Sequence, residues 1–268
     1  MAKWVWVAAA APVLCVACLL PSLGGLEGAS IVAADAAAEA APDAGKIDAP
    51  VAADGADVGT TDFFDDFNRA DGPAIGNGWI MKKPSCFALK GGTVRWLGGD
   101  PLSYRDHVVY RPAVEDRRDV KAQMTVAFAA NAPSPNYPQI HVRIQAATVA
   151  VPDSLDSYLL YVDDTPGSAL ISRQRGTPFT TTVGTVTISP QLVQTKIYRF
   201  TLIAVGANPV NLTGTIEVQE NNQWTVIGTK SVVDADPARI DTAGAVGFSG
   251  GDGVAGVHTY DDFSATAP

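Results

Sequence analysis

The stretch FFDDFNRADG, residues 63–72, returns in shortened form as TYDDF, residues 259–263, close to the C-terminus. The residues before it, 24–62, are rich in alanine, aspartate and glycine and contain no aromatic residue. Such a segment cannot bury a hydrophobic core, whereas apolar residues recur throughout the sequence from Phe63 onward. The acidic-aromatic stretch therefore marks where a folded domain begins, and we place that domain at residues 62–268.

The sequence of this domain shows the period-two alternation of β-strands. Short segments in which apolar and polar residues alternate are separated by Gly, Pro, Asn and Asp, which is typical of antiparallel strands joined by turns. The clearest segments are residues 120–129, 139–147, 157–163, 169–175, 195–206, 212–220, 223–232, 244–250 and 257–265. Strands of this number and spacing predict an all-β fold, a two-sheet antiparallel β-sandwich or jelly roll.

The charge of the chain is unevenly distributed. The formal net charge is -9, but residues 27–62 contain eight acidic residues against Lys46 alone. From Phe63 onward there are 20 acidic and 17 basic residues, so the folded domain is nearly neutral. A nearly neutral domain lacks the basic surface that binds nucleic acid, and we expect no nucleic-acid partner.

The N-terminus has the pattern of an export signal. Lys3 precedes the apolar run WVWVAAAAPVLCVACLL, which is too short and too soon followed by Pro21 for a convincing membrane-spanning helix. We therefore predict a signal peptide at residues 1–23. An exported chain with only Cys86 in its folded domain has neither an internal disulfide framework nor a cysteine zinc cluster.

Two outcomes of signal cleavage are open. Val16-Ala17-Cys18 resembles the end of a bacterial lipobox, although Cys15 stands where leucine is usual. Lipidation of Cys18 would anchor the protein to a membrane, and residues 24–61 would then form a flexible spacer that presents a monomeric domain at the cell envelope or surface. The alternative is ordinary cleavage near residues 28–30 and secretion.

The order of several phrases resembles the concanavalin A-like lectin/glucanase superfamily, in its bacterial laminin-G-like branch. The phrases are DDFNRADG (65–72), GNGW (76–79), HVRIQ (141–145), SYLLYVD (157–163), ALISRQRG (169–176), YRFTLIAVG (198–206), IDTAGAVGFSG (240–250) and YDDF (260–263). The resemblance covers roughly residues 62–266 and implies a two-sheet jelly roll. It implies no single function, because this fold carries lectins, carbohydrate-binding modules, glycosidases, lyases and adhesion domains.

Catalytic members of this superfamily have recognisable residues. A retaining glycosidase needs two carboxylates about 5 Å apart, and glucanase members share a Glu-x-Asp-x-x-Glu strand that this sequence lacks. Gln139-Ile140-His141 matches a motif of one lyase branch, but the other two strands of that branch's site are not evident. HExxH, GxSxG and GxxxxGK motifs are absent, so we expect no organic cofactor. We predict no catalytic activity; a glycoside hydrolase or polysaccharide lyase with unrecognised residues is the alternative.

A polar row on one predicted strand suggests a binding function instead. Alternation in QIHVRIQ places Gln139, His141 and Arg143 on one face, which the resemblance assigns to the sheet where sugars lie in related proteins. Tyr158 and Arg173, from the next two strands, are predicted to reach the same surface. We therefore predict a non-catalytic carbohydrate-binding or adhesion module that binds a polysaccharide or glycan. The alternative is a purely structural surface domain in which this row is a solvated sheet face.

The resemblance also explains the repeated acidic phrase. In this fold the first and last strands lie side by side, which would bring residues 65–66 close to residues 261–262. Like charges repel unless a cation offsets them, and Ca²⁺ prefers carboxylate and carbonyl oxygens. By resemblance, Asp66 and Asp262 are the predicted ligands of a structural calcium. The alternative is that each aspartate ends a strand while Phe67 and Phe263 fill the core.

Overall fold

The computed structural model describes residues 62–99, 105–112, 117–129, 138–162, 167–176, 179–250 and 258–268. The predicted signal peptide, the lipidation site Cys18 and the predicted spacer lie outside these ranges and stay predictions. Within the described ranges, no helix is both long enough and apolar enough to cross a membrane.

The described residues form fifteen strands, one short α-helix and one turn of 3-10 helix at Pro84–Cys86. The strands and the helix are β1 (Phe63–Asp65), β2 (Ile80–Met81), β3 (Phe87–Lys90), β4 (Thr93–Trp96), β5 (Val108–Arg111), β6 (Val120–Phe128), β7 (Gln139–Ile144), α1 (Ala146–Val149), β8 (Ser157–Val162), β9 (Ser168–Arg175), β10 (Phe179–Thr187), β11 (Ile197–Val205), β12 (Val210–Glu220), β13 (Gln223–Asp234), β14 (Ala245–Ser249) and β15 (His258–Thr266).

The strands form two antiparallel sheets, which confirms the predicted β-sandwich. Sheet A has eight strands in the order β13-β12-β11-β6-β15-β4-β3, with β1 paired to β15 beside this path. Sheet B has seven strands in the order β10-β9-β8-β7-β14-β5-β2. The β12–β13 hairpin turns at Asn221 and Asn222, which both have positive φ, as their residue type predicts.

The core lies between the two sheets. Alternate residues of β6, including Met124 and Val126, are fully buried, and their neighbours are only partly buried, as expected for a strand with one face on the core. Aromatic rings fill the centre: the Trp79 ring packs edge-on against Phe263 at 5.0 Å and Phe248 at 5.2 Å between centroids. Phe67 and Phe263 are both fully buried, which confirms that these two residues fill the core.

One buried carboxylate fixes the start of the domain. Asp65 ends β1, and its oxygens accept hydrogen bonds from the Phe67 backbone N–H, both terminal nitrogens of Arg69, Asn77 Nδ2 and Trp79 Nε1, at 2.7–3.1 Å. Burial alone would raise the pKa of Asp65, but hydrogen bonds, the strongest from Arg69, outweigh this effect and lower the pKa to about 2. Asp65 therefore stays ionised and fully hydrogen-bonded inside the fold.

The terminal strands pair as the resemblance implies. β1 and β15 are antiparallel neighbours, with Phe63 opposite Ala265 and Asp65 opposite Phe263. The two acidic phrases therefore do meet, but Asp65 and Asp66 play different parts. Asp65 is 4% exposed, whereas Asp66 is exposed and accepts one hydrogen bond from the Asn68 N–H.

The adjacent aspartates provide a matched test of this closure. Asp65→Ala leaves the guanidinium of Arg69 and the indole N–H of Trp79 without their partner, so we expect a loss of about 3–5 kcal/mol of stability, a fall in Tm of roughly 10 °C. Asp66→Ala should change stability by no more than about 0.5 kcal/mol. Thermal and urea unfolding in calcium-free buffer measures both; equal effects of the two substitutions would contradict the role of Asp65.

Candidate functional site

The side of sheet B that faces away from the core carries the candidate site. Core residues such as Ile140, Leu160 and Ile171 alternate with residues that point to this outer side. Seven residues in register cross the sheet from β2 to β10, and we call them the outer row. The outer row consists of Ile80, Tyr110, Gly247, His141, Leu159, Ser172 and Thr182.

A hydrogen-bonded chain lies in and beside the outer row, and we call it the polar network: Gln139, His141, Ser157 and Ser249. His141 Nδ1 lies 3.0 Å from Ser157 Oγ, and His141 Nε2 lies 2.9 Å from Ser249 Oγ. Ser249 Oγ donates to Gln139 Oε1 at 3.0 Å, so it accepts from the Nε2–H of His141. His141 Nδ1 then accepts from Ser157. The whole network is uncharged and internally consistent.

Burial keeps this histidine neutral. His141 is 1% exposed, and burial lowers its pKa to about 3. Gln139 and His141 lie on the outer side, as the alternation in their strand predicts. The imidazole therefore acts as a hydrogen-bonding group and carries no charge at neutral pH.

Two polar groups next to the network have no hydrogen-bond partner among the described residues. Ser172 Oγ and Gln174 Nε2 are buried, and neither bonds to any described residue. Ser172 lies opposite Leu159 of the outer row, and Gln174 lies opposite Ser157 of the polar network. A buried unsatisfied polar group costs about 1–3 kcal/mol. Two such groups side by side are the least satisfied part of this sheet face and need an explanation.

A cleft of about 600 Å³ opens at the β2 end of the outer row. It is lined by Ile80, Met81, Lys82, Lys83, Asp106, Tyr110, Ala146, Val149, Ala150 and Pro152. Lys82 fixes one wall, because its Nζ pairs with Asp106 at 2.7 Å and donates to the carbonyls of Val151 and Ser154 at 2.8 Å. The cleft is therefore a formed feature of the fold.

The prediction that Arg143 shares a face with His141 is wrong. Arg143 has φ +54°, and this left-handed residue breaks the alternation of β7. Its fully buried guanidinium donates to the carbonyls of Arg118 at 2.8 Å and of Ile240 and Gly206 at 2.6 Å. The break also moves Ile144 into a second small apolar cluster with Val108, Val149, Leu155 and Ala245. Arg143 is a structural clamp between loops.

The prediction that Tyr158 and Arg173 reach the outer side is also wrong. Tyr158 lies opposite Val142, a core residue, and Arg173 lies opposite Tyr158, so both point toward the core. Tyr158 OH donates to Asp234 Oδ2 at 2.8 Å, and Arg173 Nη1 donates to Asp234 Oδ1 at 2.7 Å. Asp234 ends β13 in sheet A. The two residues therefore connect the sheets and are not part of the outer surface.

The predicted calcium ligands lie at the closure of sheet A. Asp66 and Asp262 are exposed, and the Asp262 N–H donates to Asp261 Oδ1 at 2.9 Å. Burial, with the negative charges of Asp262, Asp66 and Asp65, raises the pKa of Asp261 to about 6. Among the described residues, no group of three or more His, Cys, Asp or Glu side chains is arranged to hold a metal ion. Calcium would need carbonyl and water oxygens besides Asp66 and Asp262.

The polar partners of His141 and the unsatisfied groups beside them could not be found from the sequence pattern. Ser157, Ser172, Gln174 and Ser249 come from three strands, and neither β8 nor β14 shows a polar alternation, because nearly all of their residues are buried. Only Ser172 and Gln174 gave a sequence signal. They are two residues apart in ALISRQR, so period-two alternation places them on the same face of the strand.

Comparisons with known proteins support the fold. No family model and no curated protein matches the chain. The exoplasmic/lumenal domain of VIP36, in its Ca²⁺/Man2-bound form, is similar in structure with a TM-score of 0.52 and 10% sequence identity, over 78% of this chain and 88% of that one. This similarity supports the two-sheet β-sandwich fold.

Weaker structural similarity links the chain to larger proteins. A mutant of the GH43 protein BlXynB from Bacillus licheniformis has a TM-score of 0.48 and 17% identity, over 76% of this chain and 39% of that one. A xylan beta-1,4-xylosidase from Bacillus halodurans C-125 has a TM-score of 0.48 and 15% identity, over 76% and 38%. The chain thus spans about two fifths of the length of these two proteins.

Two buried histidines make stability sensitive to acid. Burial also lowers the pKa of His258 to about 3, and its Nε2 bonds to Tyr260 OH at 2.7 Å. Folded His141 and His258 stay neutral where the unfolded chain, with a histidine pKa of about 6.5, is protonated. The unfolded state therefore binds more protons between pH 6.5 and 3, and stability falls as the pH is lowered through this window.

We expect each histidine to lower the free energy of unfolding by about 2 kcal/mol at pH 5 relative to pH 7.5. His258→Phe keeps the ring beside Trp96 and should remove about half of that pH dependence. The raised pKa of Asp261 makes its own contribution to stability increase as the pH falls, opposite to that of the histidines. Because Asp261 is present in both proteins, the difference between parent and variant gives the contribution of His258 alone. Urea unfolding at both pH values measures the difference, and an unchanged pH dependence in the variant would contradict the buried neutral state.

Proposed function

We propose that this protein is a non-catalytic carbohydrate-binding or adhesion module that binds a glycan on the outer side of sheet B. The observation that supports it best is the pair of unsatisfied buried groups, Ser172 Oγ and Gln174 Nε2, beside the polar network. Strands of sheet A, such as β6, β11 and β13, pack on the core side of sheet B or at its β10 edge. No described strand of sheet A packs over the polar network.

The chemistry of this side suits a polyhydroxylated ligand. The outer row and polar network contain hydroxyl, amide and neutral imidazole groups together with the side chains of Tyr110 and Leu159. Leu159 and the residues of the polar network are each at most 7% exposed, so a ligand would reach them from the more open β2 end of the row. A sugar presents the same mixture of hydroxyl groups and apolar ring faces. The cleft at the β2 end, about 600 Å³, falls within the range of small-molecule sites. Ligand hydroxyls would supply the partners that Ser172 and Gln174 lack.

Binding without catalysis is supported by the state of His141. A general acid or base works best when its pKa lies near the operating pH, and the pKa of His141, about 3, is far below it. In the described part of the outer row and polar network there is no Asp or Glu side chain, so the carboxylate pair of a glycosidase is not assembled there.

Display at the bacterial cell surface is part of the same proposal. It is supported by the apolar N-terminal run and by the lipobox-like residues that end at Cys18. A lipid anchor at Cys18 and the acidic spacer would hold the domain away from the membrane. The mass of the mature N-terminal peptide shows whether Cys18 carries lipid.

Substitutions at the unsatisfied groups separate binding from folding. Ser172→Ala and Gln174→Met remove groups that bond to no described residue, so we expect unchanged or slightly higher stability. If these groups bind ligand, each substitution should weaken glycan binding about 2- to 10-fold, and the double variant more. Thr229→Ala, on the outer side of sheet A, is the matched control and should leave binding unchanged. Arg143→Ala is unsuitable, because it removes a clamp that binds three carbonyls.

A glycan array followed by calorimetry on the bound glycan measures these effects. Loss of binding in the double variant with a retained Tm supports the proposal. Two results would overturn it: no binding to any glycan, or full binding by the double variant. Release of reducing ends or unsaturated sugars from a polysaccharide panel would instead show an enzyme of the same fold.

We also propose that Asp66 and Asp262 bind a structural calcium ion. Support comes from the pairing of β1 with β15, which places both exposed carboxylates at one junction. Calcium at a hundredfold its Kd would add about 2.7 kcal/mol to stability. We expect added Ca²⁺ to raise the Tm of the parent and of the control Asp241→Asn, but not of Asp262→Asn. The idea fails if a chelator leaves the parent's Tm unchanged.

A further inference from the structure

A second cavity lies on the opposite side of the sandwich, on the outer face of sheet A. Its volume is about 290 Å³, and its lining includes the polar residues Lys90, Thr93, Arg95 and Thr259 together with the buried His258. Arg95 lies opposite Thr259 across the β4–β15 pair, and Lys90 lies opposite Thr93 across the β3–β4 pair. Short strands thus bring two cations and two hydroxyl groups around one opening.

The floor of this cavity is small and apolar. Ala127 of β6 lies opposite Thr259, and a methyl group at this position leaves room that a longer side chain would fill. Val94, between Thr93 and Arg95, is fully buried, so the two polar side chains point outward from the sheet. The side chains of Lys90, Thr93, Arg95 and Thr259 therefore surround the small side chain of Ala127.

The charges of this cavity are not compensated by any described residue. Neither Lys90 nor Arg95 forms an ion pair or a side-chain hydrogen bond within the described part of the chain, and no Asp or Glu is among the described lining residues. Several other arginines of the domain are paired with a carboxylate, as Arg199 is with Glu217 at 2.6 Å. Asp261 follows on β15 beyond the lining and is the closest carboxylate along that strand. Two unpaired cations around one cavity of a nearly neutral domain indicate a missing anionic partner.

We infer that this cavity binds an oxyanion, a carboxylate, sulfate or phosphate group of a small molecule or of an acidic sugar. The guanidinium of Arg95 supplies parallel N–H donors that match two oxygens of such a group, and Lys90 adds a point charge. The Thr259 hydroxyl can donate to a third oxygen, while the Thr93 hydroxyl already donates to the Lys90 carbonyl at 3.1 Å. The site lies on the other sheet from the proposed glycan site and does not rest on that proposal.

The size of the cavity limits the ligand. A volume of about 290 Å³ is at the lower end of the range for small-molecule sites, so one anionic group and its immediate carrier fill it. An extended polyanion would contact the opening with one group only. We therefore expect millimolar affinity for single oxyanions and a clear dependence on ionic strength.

The test is calorimetric titration of the domain at constant ionic strength. The probes are sodium sulfate, phosphate, acetate and glucuronate, with glucose as the uncharged control. We expect binding of at least one oxyanion and no response to glucose at this site. Arg95→Gln should weaken that binding at least tenfold, and Lys90→Gln should weaken it severalfold. Lys230→Gln, which removes an exposed cation of sheet A outside the cavity, should change it by less than twofold.

The pattern of results identifies the source of the oxyanion. Tighter binding of glucuronate than of acetate and sulfate supports an acidic sugar, and equal binding of all oxyanions supports a free anion.

Two results would overturn the inference. One is that none of the four oxyanions binds, and the other is that Lys230→Gln weakens binding as much as Arg95→Gln does. Ser172→Ala and Gln174→Met should leave oxyanion binding intact, so failure here is distinct from failure of the glycan proposal.

Discussion

The carboxylate of Asp65 is the constraint on which the closure of this fold depends. Its five hydrogen bonds hold the turn after β1 against Trp79, and Trp79 in turn packs on Phe263 of β15 and Phe248 of β14. β15 lies in sheet A and β14 in sheet B, so one ionised group at the start of the domain positions aromatic residues of both sheets. A buried carboxylate is stable when its hydrogen bonds offset the cost of removing its charge from water, and Asp65 has five such bonds.

This aromatic centre also positions the candidate site. Phe248 points into the core, and the next residue, Ser249, therefore points to the outer side, where it accepts the hydrogen bond of His141. On β7 the same alternation places Ile140 in the core and His141 in the polar network. Packing in the core thus sets the geometry of the polar network one residue away along β7 and β14.

The sequence predicted the architecture better than it predicted the directions of side chains. All nine segments predicted as strands contain strands. β1 to β5, of two to four residues each, are too short to show a periodic pattern, and the threonine-rich β10 shows no clear alternation of apolar and polar residues. On β8 every residue but Tyr161 is buried, so alternation could not show that Tyr158 faces the core. The positive φ of Arg143 is rare for its residue type, and no neighbouring residue signals it. Asp65 and Asp66 are chemically identical, and only the register of β1 decides which one is buried.

The unsatisfied groups on sheet B are tolerable because stability is supplied elsewhere. Ser172 Oγ and Gln174 Nε2 together cost several kcal/mol, of the order of the net stability of a whole domain. Two clamps offset such a cost: the Asp65 cluster closes sheet A, and Asp234 joins Tyr158 and Arg173 of sheet B to the end of β13. Arg173 and Ser172 are adjacent on β9. The ion pair between Arg173 and Asp234 therefore also restrains the position of Ser172 and its unsatisfied hydroxyl group. A ligand that bonds to Ser172 would therefore meet a rigid, preorganised group, for which little ordering entropy remains to be lost on binding.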